Sequence, residues 1–191
     1  MKFTRIPEDT FKNLVVNAGL ILNNFDPVSG EGESKDILGA TSGGSTFSAK
    51  PTYTDFGADI DNCPKNTMEL KKLEDWEITL SGEFTSINPA LAKTLVGSAD
   101  VEANKITPRT DLKVEDFKDL WLVADYSDKN TGEKAGFIAI KMMNSLSTGG
   151  FELKTADKEK GKFSFEFTAH YSLHAQDKVP FEVYITQGSE E

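Results

Sequence analysis

The chain has one cysteine, Cys63, and only two histidines, His170 and His174, in 191 residues. A single cysteine excludes an intramolecular disulfide framework. As a nucleophile Cys63 would need an imidazole beside it, and it precedes Pro64 in the turn-rich stretch DNCPKN, far upstream of both histidines. It reads as a small loop side chain. Long apolar runs are missing too. The best one, 14–22, is broken by Asn17 and Gly19. No signal peptide is expected from it, and nothing reaches the ~18 apolar residues of a membrane helix. That pattern predicts a protein kept in a reducing cytoplasm, or exported without a signal. Positive charge is in short supply: 21 Lys and Arg face 31 Asp and Glu, a formal net charge of −10. A nucleic-acid clamp needs a basic stripe and counterion release, and an anionic membrane surface attracts cations, so both classes of partner are disfavoured.

What is present is apolar enough to fold. Hydrophobic residues make up 38% of the chain and 13 are phenylalanine, too much for a disordered polymer. The length suits one domain, residues 1–191. The dominant rhythm is period two. In 163–171, FSFEFTAHY places aromatics on one face and Ser164, Glu166, Thr168 and His170 on the other, the mark of a half-buried strand. WEITLS from Trp76 repeats the pattern, and Gly82 ahead of Phe84 suggests a long, bulged strand. The stretches 120–126 and 137–143 are apolar at successive positions, as in strands covered on both sides, with a glycine-bearing turn at 127–133 to make them a hairpin. A second hairpin is predicted from 151–155 and 163–171, and a last strand at 181–185.

One segment breaks the rhythm. Asn88 supplies an N-cap, Pro89 the first helical position, Leu91, Leu95 and Val96 an apolar side, and Gly97 a stop. The prediction is a mostly β fold, an antiparallel sandwich or open barrel with one short flanking helix and long loops. The longest irregular region is expected at 26–66, where glycine is frequent and apolar residues few.

No catalytic constellation emerges. Gly39, Gly43 and Gly44 lie in a glycine-rich stretch that lacks the lysine and following helix of a phosphate-binding loop, so it reads as a mobile loop. Asp55, Asp59, Asp61 and Asn62 miss the spacing of a calcium loop, with Cys63 in a ligand position. His170 and His174 are four apart but not on a helix, which argues against zinc. There is no G-x-S-x-G elbow. Glu77, Glu83 and Glu166 alternate with core residues on strands, as solvated carboxylates do, although paired carboxylates also serve glycoside hydrolysis. No enzyme, cofactor or metal is expected. Edge strands of such a domain suit assembly by strand addition.

From 11 to 126 the order of pieces is distinctive: FKNLVVNAGLILNNFDP, then GATSGG, then YTDFG…DNCPKNT, then a tryptophan-bearing strand and a short helix ending in GSAD. In that order the chain resembles the major tail proteins, or tail tube proteins, of long-tailed phages and prophages of Gram-positive bacteria. The resemblance implies a structural subunit, made in the bacterial host cytoplasm and located in the virion. Copies close into rings, hexameric in that family, and the rings stack into a tube through which DNA passes at ejection without specific binding. The implied partners are further copies of the chain, the tape measure protein, and the tail terminator and tail initiator proteins, with no membrane contact. By position in the order, the stacking loop falls on 26–66, with Gly39, Gly43, Gly44, Asp59, Cys63 and Lys65 as candidates. The net charge then suits a conduit that repels phosphate, with Glu77, Glu83 and Glu166 as candidate lumen-facing acids. The alternative is a carbohydrate-binding β-sandwich module, for which Trp76, Trp121 and Tyr53 would be the platforms.

Overall fold

The computed structural model describes residues 7, 10, 14–126 and 136–187. Ten strands and one α-helix follow in order: β1 (Val15–Leu22), β2 (Thr41–Asp55), β3 (Lys71–Phe84), α1 (Pro89–Val96), β4 (Ala99–Glu102), β5 (Lys105–Pro108), β6 (Lys118–Tyr126), β7 (Phe137–Ser147), β8 (Glu152–Lys154), β9 (Lys162–Thr168) and β10 (Phe181–Thr186). Eight of them form one antiparallel sheet in the order β1-β6-β7-β9-β3-β2, with β10 beside β7 and β8 beside β9; β4 and β5 pair separately. The sheet does not close into a barrel. It folds over on itself, because β7 pairs with β6 and β10 along 137–142 and with β9 at 146–147. The result is a sandwich of two halves, β1-β6-β7-β10 and β2-β3-β9-β8, that share one strand.

The alternation in the sequence becomes the core. Phe163, Phe165 and Phe167 of β9 are buried, as are Ile78, Leu80 and Phe84 of β3, and they meet Ile21, Leu120 and Met142 from the opposite half. The other faces of β6 and β7 are covered as well. Trp121 and Ala139 pack under Leu22 and Phe25, with Ile37 and Phe137 alongside. This second cluster is why 120–126 and 137–143 are apolar at successive positions: the segment after β1 folds back across that face. The turn predicted at 127–133 lies outside the described residues, but β6 and β7 are paired as a hairpin would pair them.

Helix α1 forms where its signals stand. The Asn88 carbonyl side chain accepts the Leu91 N–H at 2.8 Å, and Gly97 ends the helix at φ 82° with its N–H on the Lys93 carbonyl. Leu91, Ala92 and Leu95 are its buried residues. Each leucine contributes roughly 2 kcal/mol by burial. Val96, expected on the same face, is only partly buried.

Three expectations are corrected. Residues 26–66 are not one loop: β2 runs through 41–55, and the stretch divides into a segment packed on β1 and β6 and a separate hairpin end. Serine, threonine and glycine disguise the strand because most of its outward side is exposed and needs no apolar residue. The bulged strand foreseen from Gly82 carries its own extra residue elsewhere, at Glu74, and the bulge beside Gly82 sits on the partner strand. Ser42 pairs with Glu83 and Ser45 with Gly82, which leaves Gly43 and Gly44 as extra residues at φ 77° and 82°, a left-handed conformation that glycine tolerates. His170 does not lie on the strand, since β9 ends at Thr168. The hairpin β4–β5 had no expectation at all.

Gly82 itself has no room for a side chain. A Cβ there would stand 2.8 Å from the Phe165 ring and 3.0 Å from the Gly44 carbonyl oxygen. Gly82→Ala is expected to lower stability by about 1–3 kcal/mol, as overpacking does. The check is a lower urea midpoint at unchanged m-value.

Candidate assembly surfaces

The outward face of β2-β3-β9-β8 carries the predicted acids. Registered neighbours share a face, and Ser81 pairs with Glu166, Glu83 with Ser164, and Thr79 with Thr168. On the other flank Lys50 pairs with Glu77, Ser48 with Thr79, and Thr46 with Ser81. Glu77, Glu83 and Glu166 are therefore gathered on one side of one sheet. The face carries hydroxyls and charges in about equal number, and its charge is partly matched. Lys162 donates to Glu83 at 2.6 Å, which raises the lysine's pKa through that hydrogen bond and the nearby negative charge. Glu77 stands opposite Lys50. Glu166 is exposed and accepts from the Thr148 hydroxyl at 3.3 Å.

The β2–β3 hairpin ends in 56–70. Asp55 organises that end: one carboxylate oxygen accepts the Gly57 N–H and the other the Asn66 N–H, both at 2.9 Å. The Asn66 bond, then the Gly57 bond, hold the carboxyl below its ordinary value. Asp55 is thus committed to the backbone rather than to a cation. Cys63 is half-buried, with its Sγ 3.6 Å from the Thr67 hydroxyl. Around this frame Tyr53, Phe56, Ile60, Met68 and Leu73 are exposed. The six candidate stacking residues are dispersed. Asp59, Cys63 and Lys65 share the hairpin end, Gly43 and Gly44 form the bulge roughly 35 Å of extended chain away, and Gly39 lies against Leu91 and Phe84.

Both tryptophans are packed. Trp121 is 6% exposed, and Trp76 is half-buried against the main core and Phe181. His170 donates from Nδ1 to the Asn144 carbonyl at 3.1 Å and sets its ring edge-on to Phe117. Among the described residues no group of three His, Cys, Asp or Glu side chains is placed to hold a metal ion. An open depression of about 560 Å³ is lined by Asp26, Glu31, Glu33 and Asp36 together with Asn24, Ser29 and two glycines.

One cluster escaped the sequence reading. Arg109 follows β5 and reaches three carboxylates: Asp116 at 2.7 Å, Asp100 at 3.1 Å and Asp111 at 3.7 Å. It fastens β4–β5 to the turn that leads into β6, and Ser98 adds a hydrogen bond to the Asp111 carbonyl. A signal was there. The chain has only two arginines, and this one sits among aspartates.

No protein-family model and no curated protein matches the chain. Among solved structures, the chain is similar to one from the tail of an empty gene transfer agent particle, refined with C6 symmetry. The two are 7% identical at a TM-score of 0.43, over 81% of this chain and 92% of that one. A second, from the virion of a native gene transfer agent particle, is 8% identical at a TM-score of 0.43, over 88% of this chain and 95% of that one.

Burial pushes the Asp116 carboxyl up, but the Lys113 N–H and the Arg109 guanidinium outweigh it and hold the group below its ordinary value. A carboxylate lowered in the folded state adds stability that is complete above about pH 4 and lost as pH falls through the lower folded value. Asp116→Asn should therefore unfold at less urea than the wild type at neutral pH. The gap should close on acidification, as read from urea midpoints across a pH series.

Proposed function

We propose that the chain is a structural subunit of a phage tail tube, located in the virion. Copies join side by side into rings, hexameric on this reading, and the rings stack into the conduit through which DNA is ejected. The observation that carries the reading is the β2-β3-β9-β8 sheet. It presents a broad polar face, and among the described residues neither β2 nor β8 has a second strand beside it. A sheet with two open margins is built to continue into neighbouring copies. The polar face then lines the conduit. Its serine and threonine hydroxyls, with carboxylates partly matched by Lys50 and Lys162, offer DNA neither a basic stripe nor a strong repulsion. The exposed apolar side chains at the hairpin end serve ring stacking, a head-to-tail contact that does not close and so grows a filament. On the same reading the tape measure, tail terminator and tail initiator proteins meet the ends and interior of the tube.

A carbohydrate-binding module would need exposed aromatic platforms. With Trp76 and Trp121 packed, only Tyr53 of the three remains, and it lies under Lys71 at 5.0 Å.

Light scattering over a concentration series, with electron microscopy of concentrated protein, tests the reading. Rings and tubes are expected, with assembly steeper in concentration than a dimerisation. Monomers at every concentration, with and without tail initiator, would overturn it.

A further inference from the structure

The backbone at the two open margins fixes how neighbouring copies fit. The Ile78 carbonyl accepts the Ala169 N–H at 3.0 Å, and the Trp76 N–H donates to the Tyr171 hydroxyl at 3.1 Å. Both groups therefore point away from β2. In an antiparallel pair, opposed residues turn their N–H and C=O both inward or both outward. Ala49 and Pro51, opposite Ile78 and Trp76, thus direct their backbone groups to the open margin, as do Phe47 and Ser45 by alternation. Two features bound this row. Pro51 has no N–H to offer, and the Gly43–Gly44 bulge breaks the strand just before Ser45. The usable margin is a short window, 45–51.

The β8 margin has the same phase. Phe163 pairs with Phe84, three steps of two from the position of the Ala169–Ile78 bond, so its backbone groups face β3. Leu153, opposite Phe163 on the other side, therefore turns its N–H and C=O outward. β8 also runs antiparallel to β2 within the sheet, so a copy rotated about a ring axis brings its β8 antiparallel to β2 of its neighbour.

We propose that the β2 margin of one copy pairs antiparallel with β8 of the next, Ala49 opposite Leu153. This rests on the tube reading and names its lateral contact. In this register Lys50 faces Glu152 and Pro51 faces Phe151, which is half-exposed, as is Leu153. Moving β8 two residues towards the hairpin end sets Lys154 against Lys50, two like charges on one face. Moving it two residues the other way leaves Lys50 without Glu152. The proline and the bulge bound the window, and the charges on Lys50, Glu152 and Lys154 select one register within it.

The test is a disulfide. In a Cys63→Ser background, Lys50→Cys with Glu152→Cys places two cysteines at a close, non-hydrogen-bonded pair between copies, within disulfide reach. Inside one chain the same positions are three strand spacings apart, about 14 Å, and offset further along the strands, since Lys50 is level with Glu77 and Glu152 with Glu83, so they are out of reach. Mild oxidation should give a ladder of disulfide-linked multimers. The pair Lys50→Cys with Lys154→Cys, which belongs to the shifted register, should lose the ladder. Separately, Lys50→Glu should lose ring formation and Glu152→Lys should restore it. Rings in the wild type with no ladder, or with equal ladders in both pairs, would overturn this pairing and leave the tube reading standing. A wild type that stays monomeric would overturn both.

Discussion

The sandwich depends on one strand serving two sheets, and β7 does this through Asn144. Up to Met142 the strand is held between β6 and β10; after Asn144 it keeps one pairing with β6, Ser145 with Lys118, and joins β9. Asn144 makes the transition in a left-handed conformation, φ 48°, which costs a non-glycine residue about 1 kcal/mol. Its surroundings hold it there. Its N–H donates to Asp119, its side-chain amide to the His170 carbonyl, and its own carbonyl accepts from the His170 ring. Three hydrogen bonds at about 1 kcal/mol each outweigh that cost. If the bend relaxed, the two halves would move apart, and β9 phenylalanines would no longer face Ile21, Leu120 and Met142. His170, poor as a metal ligand, is well explained as part of this bend.

The sequence announced those elements whose apolar pattern had one cause. β9 and β3 alternate because one side faces the core, and α1 is legible from its caps. β6 and β7 were readable as doubly covered strands, although nothing in their composition told that the cover is the segment after β1. β2 was illegible for the complementary reason. Its inward residues, Phe47, Ala49 and Pro51, are separated by serines, threonine and lysine on an exposed face, and two glycines interrupt it. Composition there records exposure and a bulge, and both resemble a loop. The candidate acids were legible as a set because period two fixes the face of every residue on a strand. The dispersal of Gly39, Gly43 and Gly44 from Asp59, Cys63 and Lys65 was not, because it depends on where a strand begins.

The net charge of −10 also looks different once placed. The carboxylates on the β2-β3-β9-β8 face have hydroxyl or lysine neighbours, whereas the segment 24–36 gathers Asp26, Glu31, Glu33 and Asp36 around one depression on the other side of the fold. The acidity is therefore not concentrated on the surface assigned to the conduit. A wall of hydroxyls and compensated charges makes a weak, uniform potential, and uniformity is what lets a polyanion slide: an isolated strong charge of either sign is a step in its path.

The size of the lateral contact bears on when assembly occurs. A window of about five backbone hydrogen bonds, each contributing near 1 kcal/mol net, reaches only the low end of the 4–15 kcal/mol lost in translational and rotational freedom on association. A pair of copies joined only at β2 and β8 is therefore weak. Ring closure changes the balance, because the last copy gains two such contacts for a single loss of freedom. On the proposed reading, stacking would add the exposed apolar side chains of the hairpin ends, Phe56, Ile60 and Met68 among them, which would cover one another between rings. Each contact is insufficient alone and favourable together. On the proposed tube reading, such a chain would stay apart in dilute solution and polymerise from a preformed ring, the behaviour required of a tube that must start at one place and grow in one direction.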